Sequence, residues 1–574
     1  MVKWNLEDIY RFKDTEKLIS ELNKEVSEFK KYRSRLNDSL SNKVFMKIVK
    51  KKESIMVKAH KLSSYAGLSL SENTSDGKRI AHESKISQIC TEVGNEIMFF
   101  SLWFKSISDR KADYYIKNSG KYRYFLEVSR KYKPYTLNEK EEKIINYKDL
   151  SGADSLIGIY EIMTNGFTFK WKGKTITREE LFTNVHSKYR RDRKEAYDLI
   201  LNRYAENETV LSEIYKGIVT DWNNENVKIR GFKTPISVRN FGNELPDESV
   251  DALLKVVRKN SGLFMEYFEL KSKILNVKMD RYDIYINYND EKPDYPFEKC
   301  KKIVLEGYKE FDNEMYLNAK KIFDLNHVHS DIIKNKRGGA FCASVTQGVA
   351  PYVFLNHVGR LEDLFTMMHE FGHGVHNLLA SKNTEFTCAA PLPLAETAST
   401  FGELLLSKKL IRNVSDEEKK AILIKQLDGF YATIIRQAYF VMFEIEAHKA
   451  FSKGATLDEV NLIYLNNLKE QFGKSIKIPD IFKHEWKYIP HIYFSPFYCY
   501  SYSFGNLLVL SLYKKYLEDG ESFVPKYLKI LSYGGSKAPA DILKEVGFDI
   551  TKESFWEGGF DVIREEIEEL KKLV

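Results

Sequence analysis

Cysteine, proline and glycine are all sparse in this chain of 574 residues: 5, 13 and 30, respectively. The five cysteines (Cys90, Cys300, Cys342, Cys388, Cys499) are odd in number, far apart, and never spaced Cys-x-x-Cys. A disulfide framework is therefore not expected, and reduced thiols in a cytoplasmic protein are. Few prolines and glycines mean few forced breaks, which favours long helices. Long apolar runs are missing too. The stretch Leu507–Leu512 is far too short to span a bilayer, and Met1–Tyr10 carries Lys3, Glu7 and Asp8 where a signal peptide needs an apolar segment. No membrane partner is expected.

An excess of one charge is also lacking. The net charge of +8 is the small difference between 89 basic and 81 acidic residues. The basic runs Lys50–Lys52 and Arg190–Lys194 are adjoined or interrupted by Glu53, Asp192 and Glu195, as on solvated helix faces. No helix-turn-helix, zinc-finger or RNA-binding pattern accompanies them, so no nucleic-acid partner is expected. Hydrophobic residues make up 43% of the chain, enough for a large core, and charged residues 30%, enough to solvate it.

What is present reads as mainly helical. Apolar residues recur at helical spacing in Lys17–Leu36 and Ser84–Ser108. Capping boxes mark helix starts at Ser415/Glu418 and Thr456/Glu459. From Ser415 to about Phe451 there is no proline and only Gly429, which points to one long helix. Short strands are expected at Phe167–Trp171, Tyr282–Ile286 and Tyr352–Leu355, where β-branched and aromatic residues concentrate. The chain divides into an N-terminal helical region, 1–190, and a catalytic region, 191–574. No linker composition marks that boundary.

The chemistry concentrates at His369-Glu370-Phe371-Gly372-His373, an H-E-x-x-H motif. Residues four apart share a helix face, so two imidazoles can reach one metal ion while Glu370 faces a water beside it. Leu361, Leu364, Phe365, Met368, Phe371, Val375 and Leu379 cover one side of this helix, and Glu362, Thr366, His369, His373 and His376 form a polar stripe. Such a motif arises by chance in on the order of one chain in a hundred of this length, so context has to carry the reading. The longer three-histidine pattern fails, because His376 and Leu379 occupy its later positions. A third ligand is available in Leu394–Glu403, which reads as a helix start behind Pro391 and Pro393. Glu396 and Glu403 are seven apart and face the same way. Glu396 is assigned as ligand and Glu403 as the carboxylate that orients a ligand histidine; the spacing alone leaves the reverse open. Two histidines and one glutamate leave a fourth position for water, as a catalytic zinc requires. Further on, His491, Tyr493, Tyr498, Tyr500 and Tyr502 cluster. They are either donors for a developing oxyanion or aromatic core.

These residues resemble oligoendopeptidase F, within the wider thimet-oligopeptidase family of zinc peptidases. The resemblance runs from Trp4–Tyr10 through Lys336–Cys342 and Pro351–Asn356. It peaks at His369–His373 and Ala395–Phe401, and ends with Tyr533–Ser536 and Phe555-Trp556. It implies one zinc ion per chain held by His369, His373 and Glu396, with Glu370 as catalytic carboxylate. It also implies a multi-helix fold around a deep substrate channel, with a small sheet beside the active-site helix. In that likeness Pro351–Asn356 is the edge strand on which substrate pairs, and the late donors correspond to His491 and to Tyr498 or Tyr502. Gly338 and Gly339 are either a turn that closes over substrate or an ordinary surface turn. The expected activity is hydrolysis of internal bonds in short peptides. An aminopeptidase would need an acidic cluster to hold a free amine, and a binding protein would not need all three ligands and the base.

Overall fold

The computed structural model describes residues 3–286, 288, 294–412 and 414–574. Helix accounts for 73% of the described residues, so the sheets are local features. The strands are β1 (Thr168–Trp171), β2 (Lys174–Thr177), β3 (Val328–His329), β4 (Phe341–Ala343) and β5 (Tyr352–Phe354). The chain forms two compact units, each assembled from three separate segments. The first comprises Met1–Thr136, Glu291–Leu410 and Asp519–Val546. The second comprises Leu137–Asp290, Ile411–Glu518 and Gly547–Val574.

In the first unit, long helices Asn42–Glu72 and Gly77–Ser106 pack on each other and on Thr15–Lys30. Their shared core is aromatic: Phe29, Phe45, Phe100, Phe104 and Tyr115 are all buried, and the rings of Phe45 and Tyr115 stack at 4.0 Å. Three strands form a sheet in the order β3-β5-β4, with β3 parallel and β4 antiparallel to β5. Trp4 packs on this sheet beside Tyr352 and Phe354, which ties down the start of the chain. The helix carrying the H-E-x-x-H motif, Leu361–Ala380, lies against β4 and β5 and against helices Phe297–Phe311, Asn313–Asp324 and Val524–Ser532. It begins where the Asp363 carboxylate accepts from the Arg360 backbone N–H at 2.9 Å.

The strand expected along substrate, Pro351–Asn356, is not an edge. Its strand β5 is the central one, flanked by β3 and β4 and buried throughout. The three consecutive apolar side chains Tyr352, Val353 and Phe354 explain why: a strand buried on both faces needs no polar alternation. The edge strand against the motif helix is β4, which among the described residues pairs only with β5, through Cys342↔Val353 and its neighbours.

The second unit holds the helical stretch expected after Ser415. Helix Asp416–Phe430 passes through a π-helical segment, Tyr431–Ile435, into helix Arg436–Ser452. Its capping box at Ser415/Glu418 is formed, as is that at Thr456/Glu459. β1 and β2 make a hairpin whose two-residue loop has positive φ at Lys172 (46°) and Gly173 (80°), the backbone that a tight hairpin turn requires. Tyr282–Ile286 is a turn and not the expected strand. Asp280 and Asp283 decide this. The Asp280 carboxylate accepts from the Tyr282 N–H at 3.0 Å, and that of Asp283 accepts from the Asp280 N–H at 3.1 Å. Aspartates that bond their own neighbourhood in this way outcompete the β-branched preference of the segment.

Candidate metal centre

The centre is built where the motif helix meets helix Thr397–Ile411, and glycine sets how closely they approach. A Cβ on Gly372 would lie 2.4 Å from the Ser399 Cα and 2.7 Å from the Ala398 carbonyl oxygen. From the other side, a Cβ on Gly402 would meet Met368 Cγ and the Tyr308 hydroxyl at 3.3 Å. Tyr308 donates to the Met368 carbonyl at 3.1 Å, locking the same crossing. Gly372→Ala should therefore push the helices apart and cost about 3 kcal/mol, because the obstacle is backbone. Gly429→Ala, in a helix with nothing within 4 Å of the added Cβ, should instead stabilise by about 0.5–1 kcal/mol. Thermal melts of both variants check the opposite signs.

Glu396 sits in the break between a short helical turn, Leu392–Ala395, and helix Thr397–Ile411. Pro391 and Pro393 enforce that entry. From there its carboxylate oxygen Oε2 lies 3.3 Å from His369 Nε2 and 3.4 Å from His373 Nε2. Ser399 holds the same oxygen through its hydroxyl at 2.8 Å. The two imidazole planes are 84° apart with centroids at 4.9 Å, so the rings converge edge to face.

Each of the converging groups is held from behind. His369 Nδ1 is 2.6 Å from Glu403 Oε1, which leaves Nε2 for an ion. His373 is hydrogen-bonded to the backbone of Ala395. Glu370 is almost fully buried and bonded to the backbone of Cys342 on β4. Burial, together with the Glu396 and Glu403 carboxylates, pushes it up to about 7. Burial alone would lower His369, but Glu396 and Glu403 carry it to about 10. Burial likewise opposes ionisation of Glu396, yet His369 and His373 hold it down to about 2. The fourth histidine of the stripe, His376, is a core residue: it is buried, bonded to the Leu531 backbone, and lowered to about 4.

The donor set fits a zinc ion. Two donors that each lie about 2.0–2.15 Å from one tetrahedral ion are about 3.3–3.5 Å apart, and both distances to Glu396 fall there. The pair of carboxylates around His369 also makes the place attractive to positive charge. Among the described residues, one other acidic group, Asp149, Asp221 and Glu225, gathers in the second unit. Lys148 pairs with Asp221 at 2.5 Å and Arg230 with Glu225 at 2.8 Å, which makes it a salt-bridge network.

The late aromatic residues cluster within the second unit. His491 lies on helix Pro490–Phe494, Tyr502 on helix Tyr500–Asp519, and Tyr498 in the loop between. Their ring centroids are 6.1 Å (His491–Tyr498), 6.0 Å (His491–Tyr502) and 5.4 Å (Tyr498–Tyr502) apart. Sequence reasoning missed the groups that hold this loop. Phe497 adopts a left-handed φ of 59°, a strained backbone for a bulky residue, and donates its N–H to Glu444 Oε1 at 2.8 Å. Arg239 donates to Ser495 Oγ at 2.6 Å and to the Pro496 carbonyl at 3.1 Å. Asn243 donates to the Tyr500 hydroxyl at 2.8 Å. The signal available was weak: a charged Glu444 amid the apolar run Ala438–Phe443.

A helical fold with paired histidines, a glutamate from a neighbouring helix and a buried glutamate beside them defines a metal-dependent hydrolase site. Comparison with known proteins makes this specific. Residues 184–562 match the model of Peptidase family M3, and residues 103–169 match that of Oligopeptidase F. The chain belongs to peptidase family M3 and is a metallo-oligopeptidase. An oligoendopeptidase F homolog of Borreliella burgdorferi is 30% identical, aligned over 100% of this chain and 98% of that protein. Oligopeptidase PepF of Bacillus subtilis is 26% identical over 100% of this chain and 87% of its own. A crystal structure from Chlamydophila abortus superposes with TM-score 0.88 at 25% identity, covering 100% of this chain and 98% of that one. Oligoendopeptidase-F from Enterococcus faecium, at 22% identity, shares the fold with TM-score 0.73 over 97% of this chain and 99% of its own.

Proposed function

We propose that this peptidase is a zinc-dependent endopeptidase of short peptides, acting in the cytoplasm with one zinc ion per chain. The observation that carries the proposal is the near-equal spacing of the His369 and His373 Nε2 atoms from one Glu396 oxygen. When bound, zinc supplies Lewis-acid polarisation of the scissile carbonyl and acidifies an attacking water. His369, His373 and Glu396 hold it, and Glu403 fixes the His369 tautomer. Glu370 takes the proton of the water and returns it to the departing amine. Its buried carboxyl, held up near neutrality, suits a group that must both accept and give a proton.

Substrate lies as an added strand along β4. That strand pairs on one side only among the described residues, and its Cys342 backbone bonds Glu370. Main-chain pairing binds peptides with little demand on their side chains. The resemblance supports His491 with Tyr498 or Tyr502 as donors to the oxyanion.

No helix among the described residues is long and apolar enough to cross a membrane. Short peptides are the proposed partners.

The test is a quenched fluorogenic peptide blocked at both ends, assayed with and without a chelator. Cleavage at an internal bond that stops on chelation and returns with zinc is the expected result. Cleavage requiring a free amino terminus would sink the endopeptidase reading. Among the late donors, the group that serves the oxyanion should lose about 10²–10³-fold in kcat with little change in KM when its donor is removed. Tyr498→Phe, Tyr502→Phe and His491→Ala identify it. Unchanged kcat in all three would remove this cluster from the reaction.

A further inference from the structure

At one point the second unit sets two guanidinium groups, one fully buried and one 19% exposed, against a single buried carboxylate. Arg281 is fully buried and pairs through Nη2 with Glu485 Oε1. Its guanidinium lies against the rings of Phe482, Tyr285 and Tyr197, at 5.1, 5.7 and 5.9 Å. Its Nε and Nη1 have no hydrogen-bond partner among the described residues. A second guanidinium, Arg436, comes from the first residue after the π-helical segment. It reaches the same Glu485 oxygen only at 3.6 Å, and it covers the Tyr285 ring at 6.0 Å. That oxygen already accepts from the Tyr488 hydroxyl at 2.8 Å.

Two guanidinium groups thus share one carboxylate. Around them the buried hydroxyls of Tyr285 and Tyr464 also lack partners among the described residues, as does Glu485 Oε2. Tyr464 is close enough to feel Glu485, Arg436 and Arg281 electrostatically. Buried polar groups are seldom left unpaired, and an orphaned set of this size signals water or an ion. Water can satisfy the hydrogen bonds. It cannot offset the surplus unit of positive charge, and an uncompensated buried charge is costly.

We infer that this unit holds a small monovalent anion of the halide class between Arg281 and Arg436, with the Tyr285 and Tyr464 hydroxyls as further donors. Charge and access both select this class. A doubly charged anion would overshoot the single surplus charge. The full burial of Arg281 bars a peptide carboxylate from reaching its free N–H groups. The inference does not depend on the peptidase reading.

The test uses the full chain. Thermal unfolding is followed in sodium chloride and in sodium gluconate at equal ionic strength, and crystals grown without chloride are soaked in bromide. Chloride at 100 mM should raise Tm by about 2 °C, the shift expected for a ligand at a hundred times its Kd in a chain this long. Bromide should give an anomalous peak within hydrogen-bonding distance of Arg281 Nη1. Arg281→Met removes a buried ion pair and is at risk of not folding, so Arg436→Gln and Tyr285→Phe carry the comparison. Arg436→Gln should abolish the chloride effect, and Tyr285→Phe should weaken it. Equal Tm in the two salts, or bromide peaks only at the protein surface, would overturn the inference.

Discussion

Glu370→Gln is expected to bind zinc as the parent enzyme does and to turn over peptides about 10²–10⁴-fold more slowly. Glutamine preserves the shape of the side chain and the acceptor that meets the Cys342 backbone. It loses only the ability to hold a proton. Glu370 is not one of the three converging donors, which are His369, His373 and Glu396. Its removal should therefore spare the metal while stopping the chemistry. Metal analysis of the purified variant alongside kcat and KM makes the separation. Loss of zinc together with activity would reassign Glu370 to the ligand set. Full activity with zinc in place would remove it from proton transfer.

The second large effect distinguishes two glutamates one helix face apart. Glu396→Ala should weaken zinc by well over 100-fold and leave the enzyme without measurable activity. Its Oε2 is the atom shared by both imidazoles at 3.3 and 3.4 Å. Glu403→Ala should weaken zinc by about 10–100-fold, the range for carboxylates that orient a ligand from behind. It frees His369 Nδ1 from its 2.6 Å partner without removing a donor. Competition with a chromophoric chelator measures both. A larger loss for Glu403 than for Glu396 would exchange their roles.

The geometry explains why this pair could not be resolved from spacing alone. A separation of seven would put Glu396 and Glu403 on one face of a continuous helix, and both reach His369. What separates them is the break at Glu396, where a proline-led turn ends and a new helix begins. That break directs Glu396 to Nε2 and leaves Glu403 facing Nδ1. Gly372 and Gly402 were legible as residues but not as a contact, because the second helix that each must admit lies some thirty residues away.

Other misreadings have similar causes. The family resemblance placed the edge strand on β5, but likeness in a short motif cannot say whether a strand has one neighbour or two. Tyr282–Ile286 has strand composition, yet the flanking carboxylates bond their own backbone first. The π-helical segment Tyr431–Ile435 inserts without breaking the apolar pattern around it. The interleaving of two units from six segments leaves no trace in local composition.

Local order determined what the sequence itself could determine. The predominance of helix, the capping boxes, the two histidines on one face and the glutamate between them all follow from spacings of three and four residues, which the backbone repeat translates directly into position. Tertiary structure decided the rest. It chose which distant carboxylate converges with the paired histidines, how closely two helices approach, which strand lies at the centre of the sheet and where Arg281 is buried against a single acid. Each of these depends on a partner far away in the chain, and packing selects that partner.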